Sequence, residues 1–193
     1  YLRDGSPALF GNEKMTRDAM VIRHNDLWYC YYTANPDDEG AIFVRTSNDI
    51  FNWSESTKVA YGGQAGTKFW HAECPQVIPD LQGYHYLFRT QSYGKGIEDT
   101  GTNNQQTSVY RSDDLKNFGI NDDQYFVSQM KVAAPEIFQF EGEWYMAALM
   151  PNLQGIRIAR MEWVLSEREK NKGRLTRASF CNHYTIDKTN LNV

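Results

Sequence analysis

Ala19–Tyr32 reads AMVIRHNDLWYCYY, Pro75–Phe88 reads PQVIPDLQGYHYLF and Pro135–Ala148 reads PEIFQFEGEWYMAA. Each stretch is an apolar pair, a polar turn and an aromatic strand. Aligned without gaps, Ile22, Ile78 and Phe138 correspond, and they stand 56 and then 60 residues apart. Each lies six residues before the aromatic that opens the second half, at Trp28, Tyr84 and Trp144. Self-similarity at a fixed period is the mark of a repeat architecture, and it takes precedence over any local reading.

Working outward, each unit supplies a further strand: GAIFVRTS from Gly40, QTSVYRS from Gln106 and GIRIARMEW from Gly155. The first two units continue alike, with SNDIFNW from Ser47 and SDDLKNF from Ser112. In these the Asn/Asp pair turns the chain and the aromatic closes the outer edge. The turns HND, LQG and EGE join short strand candidates as hairpins do, and helical periodicity is nearly absent. About 60 residues per unit with four short strands predicts an all-β propeller. A β-sandwich would also show many short strands, but it would not repeat its sequence. The repeat assigns units to 12–60, 68–128 and 130–163, within a propeller domain spanning 1–163. A closed propeller has about four to eight blades, so further sequence is expected before Tyr1 and after Val193. YLRDGSPALFG at 1–11 reads as the outgoing edge of an earlier unit. In the polar segment 164–193, VLSEREKNK suits a short helix and RASFCNHYTI a strand, the start of a further blade.

The composition narrows the partners. Hydrophobic residues make up 41% of the chain and aromatics 14%, enough for a core and for flat apolar faces that stack on sugar rings. The 20 basic and 24 acidic residues are spread without long runs, so there is no basic patch for nucleic acid or an anionic membrane. No apolar run reaches 18 residues. Cys30, Cys74 and Cys181 show neither CxxC nor zinc-like spacing; Cys30, in an aromatic strand, reads as a small buried residue. The outer-turn acids Asp113 and Asp114 read as solvated.

In a propeller the innermost strands line a central channel, and the repeat puts a carboxylate near the start of each: Asp18 in TRDAMVI, Glu73 in HAECPQVI and Glu136 in AAPEIFQF. Acids converging from successive blades suit glycoside hydrolysis, in which one carboxylic acid protonates the leaving oxygen and another attacks or activates water. Each also has a structural reading: Asp18 as a partner of Arg17 or a turn cap, Glu73 as a surface acid, Glu136 as a strand-start residue. His71 is a candidate sugar donor or a tuner of the acid, and Trp70 a stacking platform or a core residue.

TRDAMVIRHNDLWYCYYTA and HAECPQVIPDLQGYHYLF resemble the RDP and ECP motifs of the five-bladed β-propeller glycoside hydrolases. These comprise the β-fructosidase (invertase-like, family 32) group and the arabinanase and β-xylosidase (family 43) group. The resemblance runs from about residue 12 to 163 and implies five blades, about three of them represented here. It implies Glu73 as general acid/base, Asp18 as transition-state stabiliser and Arg17 as its orienting partner; the residues read above add Trp70, His71 and Glu136, with Arg17, as substrate-binding candidates. It implies a saccharide substrate bearing fructosyl, arabinosyl or xylosyl units, and no nucleotide or redox cofactor. Some related families hold a structural calcium, for which no site is legible here. Two departures stand out. Ala19 replaces the motif's Pro, and the NDP-type strand start that carries the nucleophile in the invertase-like enzymes is absent; Asp4 in RDGSP does not match it. The nucleophile is therefore expected on a preceding blade, and this segment alone is expected to be inactive. A non-catalytic carbohydrate-binding propeller and a propeller mediating protein contacts remain as alternatives. The substrate class leans toward a periplasmic or secreted setting, which unpaired cysteines do not favour over the cytoplasm.

Overall fold

The computed structural model describes residues 13–91, 106–149, 155–164 and 177–180. They form twelve strands and one 3-10 turn at Gly63–Ala65, with no α-helix among them. The first sheet holds β1 (Arg17–His24), β2 (Leu27–Ala34), β3 (Ala41–Ser47) and β4 (Thr57–Tyr61) in that order. The second holds β5 (Glu73–Leu81), β6 (Tyr84–Gln91), β7 (Gln106–Ser112) and β8 (Phe126–Met130). The third holds β9 (Ala133–Phe140), β10 (Glu143–Leu149), β11 (Ile156–Val164) and β12 (Arg177–Phe180). All neighbours within a sheet are antiparallel. The all-β expectation holds; the first two repeat units each make one four-stranded sheet, and the third supplies three strands of its sheet.

Local chemistry accounts for the hairpins. Asn25–Asp26, Gln82–Gly83 and Glu141–Gly142 each link two strands with both residues at positive φ, between 47° and 82°. That is the two-residue turn whose twist matches the flanking strands. The SNDIFNW and SDDLKNF turns are alike as well. The Ser47 hydroxyl accepts from the amides of Asp49 and Ile50, and the Ser112 hydroxyl from that of Asp114. Asp49 and Asp114 then cap amides further on, at Phe51, Asn52 and Lys116.

The C-terminal strand corrects the sequence reading. Within RASFCNHYTI only Arg177–Phe180 is described; it pairs with β11 and completes the third sheet instead of starting a further unit. Residues 1–11, including Asp4, lie outside the described residues, as do Cys181 and, beyond Val164, the VLSEREKNK segment.

The sheets stack face to face through two apolar seams. The first seam joins Tyr31, Ile42 and Val44 of the first sheet to Val77, Leu87 and Tyr110 of the second. The second joins Ile78, Tyr86 and Phe88 to Ile137, Met146 and Met161 of the third. The first seam is also stitched along its outer rim, where Tyr61 and Ile120 form a parallel bridge. There the Phe118 amide donates to the Val59 carbonyl, the Tyr61 amide to Gly119 and the Asn121 amide to Tyr61. Cys30 is 4% exposed on the other face of the first sheet, and burial pushes its thiol up to about 11.

The start of each inner strand carries the same irregularity. Three steps along β1, from Arg17 to Met20, face two along β2, from Thr33 to Tyr31. Glu73–Gln76 against Thr90–Phe88, and Ala133–Glu136 against Leu149–Ala147, repeat the pattern. Within these bulges Asp18, Cys74 and Ala134 have φ of 56°, 45° and 44°. Non-glycine residues seldom adopt that conformation, and bulges holding it re-aim side chains at sheet ends.

Candidate active site

The bulges set the positions of the three acids, and these differ from the sequence expectation of matched places. Counted along each inner strand, Glu73 is first, Asp18 second and Glu136 fourth. The repeat equivalents of Asp18 are Cys74 and Ala134, the residues that the gap-free alignment also sets beside it. Asp18 and Glu73 nevertheless meet across the first seam.

Arg17 holds that meeting together. Its Nε and Nη2 donate to Glu73 Oε1 at 3.2 and 2.6 Å. Its Nε stands 3.8 Å from Asp18 Oδ2. The sequence reading gave Arg17 to Asp18, its chain neighbour, yet its close partner is Glu73, 56 residues on, because the bulge turns β1 toward β5. Nη1 donates to the Met15 carbonyl at 2.8 Å and to Asn35 Oδ1 at 2.6 Å. Asn35 is fully buried, and its Nδ2 donates to the Phe69 carbonyl at 2.8 Å. Asn35 thereby fixes both the guanidinium and the Phe69–Trp70 loop. The Arg17 guanidinium sits over these two rings, 5.5 and 5.8 Å from their centroids. Phe69 and Trp70 meet edge to face at 4.5 Å, and Trp70 remains 46% exposed beside the charges.

The carboxylates differ in environment. Burial drives the Glu73 carboxyl above its ordinary range; the Arg17 guanidinium opposes this and the Asp18 charge adds to it. Both Arg17 bonds land on Oε1, so a proton on Glu73 belongs on Oε2. Asp18 is the more open group, and its Oδ2 accepts the Cys74 amide at 3.1 Å. Burial, with Asp18 and Glu73 nearby, pushes the Cys74 thiol up to about 12.

His71 lies beneath the Trp70 loop, 4% exposed. Its Nδ1 accepts the Lys68 amide at 3.2 Å, which puts the ring proton on Nε2. That Nε2 is buried with no partner among the described residues. Burial, aided by the charges of Arg89 and Lys68, lowers the imidazole to about 4, so the ring is neutral at pH 7. Gly66 makes room for it: a Cβ there would come 2.2 Å from Nδ1, and φ at this residue is +85°. Arg89, 1% exposed, clamps the loop by donating to the carbonyls of His71, Gly62 and Gly66 at 2.8, 3.3 and 2.9 Å.

Glu136 is not drawn into this cluster. It stands exposed on β9, opposite Ala147, with no hydrogen bond or ion pair among the described residues. Nor do three His, Cys, Asp or Glu side chains converge to hold a metal ion among those residues. Asn35 and Arg89 were missed from sequence. A buried amide in an Asn-Pro turn and a lone Arg in an aromatic strand give no local sign of the loops they bind.

No protein-family model matches the sequence, and neither does any curated protein. Solved structures do share its fold. A mutant of the Bombyx mori GH32 beta-fructofuranosidase in complex with sucrose matches 76% of this chain and 35% of its own, with 20% identity and a TM-score of 0.52. A thermostable family-43 glycoside hydrolase matches 80% of this chain and 57% of its own, with 13% identity and a TM-score of 0.59. An N-acetylgalactosamine deacetylase from F. plautii, in complex with blood group B trisaccharide, matches 76% and 49%, with 11% identity and a TM-score of 0.55. At these identities the likeness establishes the fold, that of the propeller glycoside hydrolases of the GH32 and GH43 kind. The chain spans 35% to 57% of the length of these three proteins.

Proposed function

We propose that the first seam is part of the active site of a five-bladed propeller glycoside hydrolase acting on fructosyl, arabinosyl or xylosyl saccharides. The observation that carries this reading is Glu73: a carboxyl raised by burial, with its charged partner on one oxygen and the other left to bear a proton. A carboxylic acid kept protonated near neutrality is what protonation of a glycosidic leaving oxygen requires. The more open Asp18 then binds sugar hydroxyls and stabilises the developing positive charge. Trp70 offers a stacking face, and His71, buried beneath it, acts through the loop that it holds by the Lys68 amide. Arg17 holds Glu73 and Asp18 in one geometry, and Glu136 contacts substrate farther along the channel through its exposed carboxylate. The remaining carboxylate, nucleophile or base, belongs to a blade outside the three sheets, in keeping with the motif resemblance.

The test is hydrolysis of sucrose-type fructosides, aryl arabinofuranosides and aryl xylosides by the complete gene product and its Glu73→Gln variant. A loss of about 10²–10⁴-fold in the variant is expected for removal of a general acid. Equal rates in both proteins would refute the assignment. The exposed ring of Trp70 beside the charges also suits a second reading, a carbohydrate-binding propeller without turnover. That reading predicts no hydrolysis by a folded protein, with sugar binding weakened by Asp18→Asn.

A further inference from the structure

The two seams satisfy one backbone group in two ways. In the second seam the amide of the bulge residue Ala134 donates to the hydroxyl of Thr90 at 3.0 Å. In the first seam the equivalent amide, that of Cys74, donates to Asp18 Oδ2 at 3.1 Å. Thr90 pairs with Glu73, and its repeat equivalent, pairing with Arg17, is Thr33. Thr33 is wholly buried, and its hydroxyl has no hydrogen-bond partner among the described residues. It alternates in register with Tyr29 and Tyr31, and so lies on the face of β2 that meets the second sheet. On β3 its neighbour is Ile42, where Thr90 has Thr107, so the strand beside it offers no bond. A buried hydroxyl left idle is unfavourable, and an apolar residue would fill the same place beside Ile42.

We propose that Thr33 is a positioning residue whose hydroxyl is the alternative acceptor for the Cys74 amide. When Asp18 turns its carboxylate to a ligand hydroxyl, the amide passes to Thr33, as the Ala134 amide is already held by Thr90. The seam then keeps its backbone satisfied while Asp18 is released. The role of Asp18 toward a sugar rests on the function proposed above; the hand-over of the amide does not.

Amide hydrogen exchange at Cys74, followed by NMR on the full chain, tests this. Asp18→Gly removes the carboxylate without strain, since glycine adopts the φ of +56° found there. The expected result is that Cys74 stays protected within about threefold in Asp18→Gly and in Thr33→Val, but exchanges at least about tenfold faster in the double variant. Asp18→Gly combined with Thr33→Ser, which restores a hydroxyl, behaves as Asp18→Gly alone. Loss of protection in Asp18→Gly by itself, or failure of the serine to restore it, overturns the hand-over. The single variant decides the question even where the double does not fold. No step depends on turnover. An inactive protein with this exchange pattern removes the glycosidase reading alone, and an active one without it removes the hand-over alone.

Discussion

The two seams share a backbone and differ in chemistry. Both bring an inner strand with the same bulge against the preceding sheet, and both bury a layer of aromatics and aliphatics. The first puts Arg17, Asp18, Glu73 and Cys74 at its bulges; the second faces Glu73 and Cys74 with Ala133 and Ala134. Across the second, Gln76 Nε2 reaches the Ile137 carbonyl at 3.4 Å, and methionines fill the interior. The strained turn is therefore a property of the repeat and needs no charge. Three of the four bulge positions of the first seam carry charged side chains, Arg17, Asp18 and Glu73, and that seam is where a buried acid and an open carboxylate coexist.

The largest expected separation of the seams comes from Arg89→Met beside Met146→Ala. Losing Arg89 strands three loop carbonyls at about 1–3 kcal/mol each, so a stability loss of at least about 3 kcal/mol is expected. Urea unfolding measures it, and the His71 loop should loosen with it. Met146→Ala, 1% exposed in the second seam, should cost about 2–5 kcal/mol and leave the first-seam cluster in place. Equal damage to the cluster from both would break the comparison.

Next comes His71. Its folded pKa lies near 4, below the unfolded value of about 6.5. Folding thus excludes a proton: this stability is complete above about pH 6.5 and is lost as pH falls through 4. Unfolding curves at pH 7 and pH 4 should show the parent losing on the order of 2 kcal/mol more than His71→Gln. Glu73 runs the other way, because its folded pKa is raised. Its contribution is present below about pH 4.3 and is lost as pH climbs through the raised value. Arg17→Met removes the charge opposing that rise, so the alkaline limb of any hydrolysis should move to higher pH in a rate profile.

Smaller effects sharpen the contrast. Gln76→Leu, losing one long contact in the second seam, should change stability by less than about 1 kcal/mol and leave the pH behaviour of the first untouched. At pH 8 the Cys74 thiol, held near 12, should resist alkylation in the folded protein, as mass spectrometry after brief labelling would show.

The repeat, the strand content and the hairpins were legible because their causes are local. Ile22, Ile78 and Phe138 mark the period, and the Asn-Asp, Gln-Gly and Glu-Gly pairs sit where both turn residues need positive φ. RD and ECP were legible as motifs, and the structure does bring Asp18 and Glu73 to one seam. Their offset was legible too, since the gap-free alignment sets Asp18 beside Cys74 and Arg17 beside Glu73. The contact between Arg17 and Glu73 was hidden, because it follows from how two sheets stack. For the same reason the idle hydroxyl of Thr33 reads, in sequence, as an ordinary strand threonine. The fourth strand of the third sheet was misassigned because Arg177–Phe180 lies outside the repeated pattern.

The outer-rim bridge between Tyr61 and Ile120 has a bearing on how the molecule opens. The first and second sheets are joined by main-chain hydrogen bonds at that rim and by Arg17 and Glu73 near the strand starts. Among the described residues no main-chain bond joins the second sheet to the third. The first two sheets are therefore expected to open together, with the third undocking first, which hydrogen exchange resolved by sheet would check. The contacts that Arg17, Asp18 and Glu73 offer a ligand lie inside that pair of sheets, so they would survive excursions that shed the third sheet.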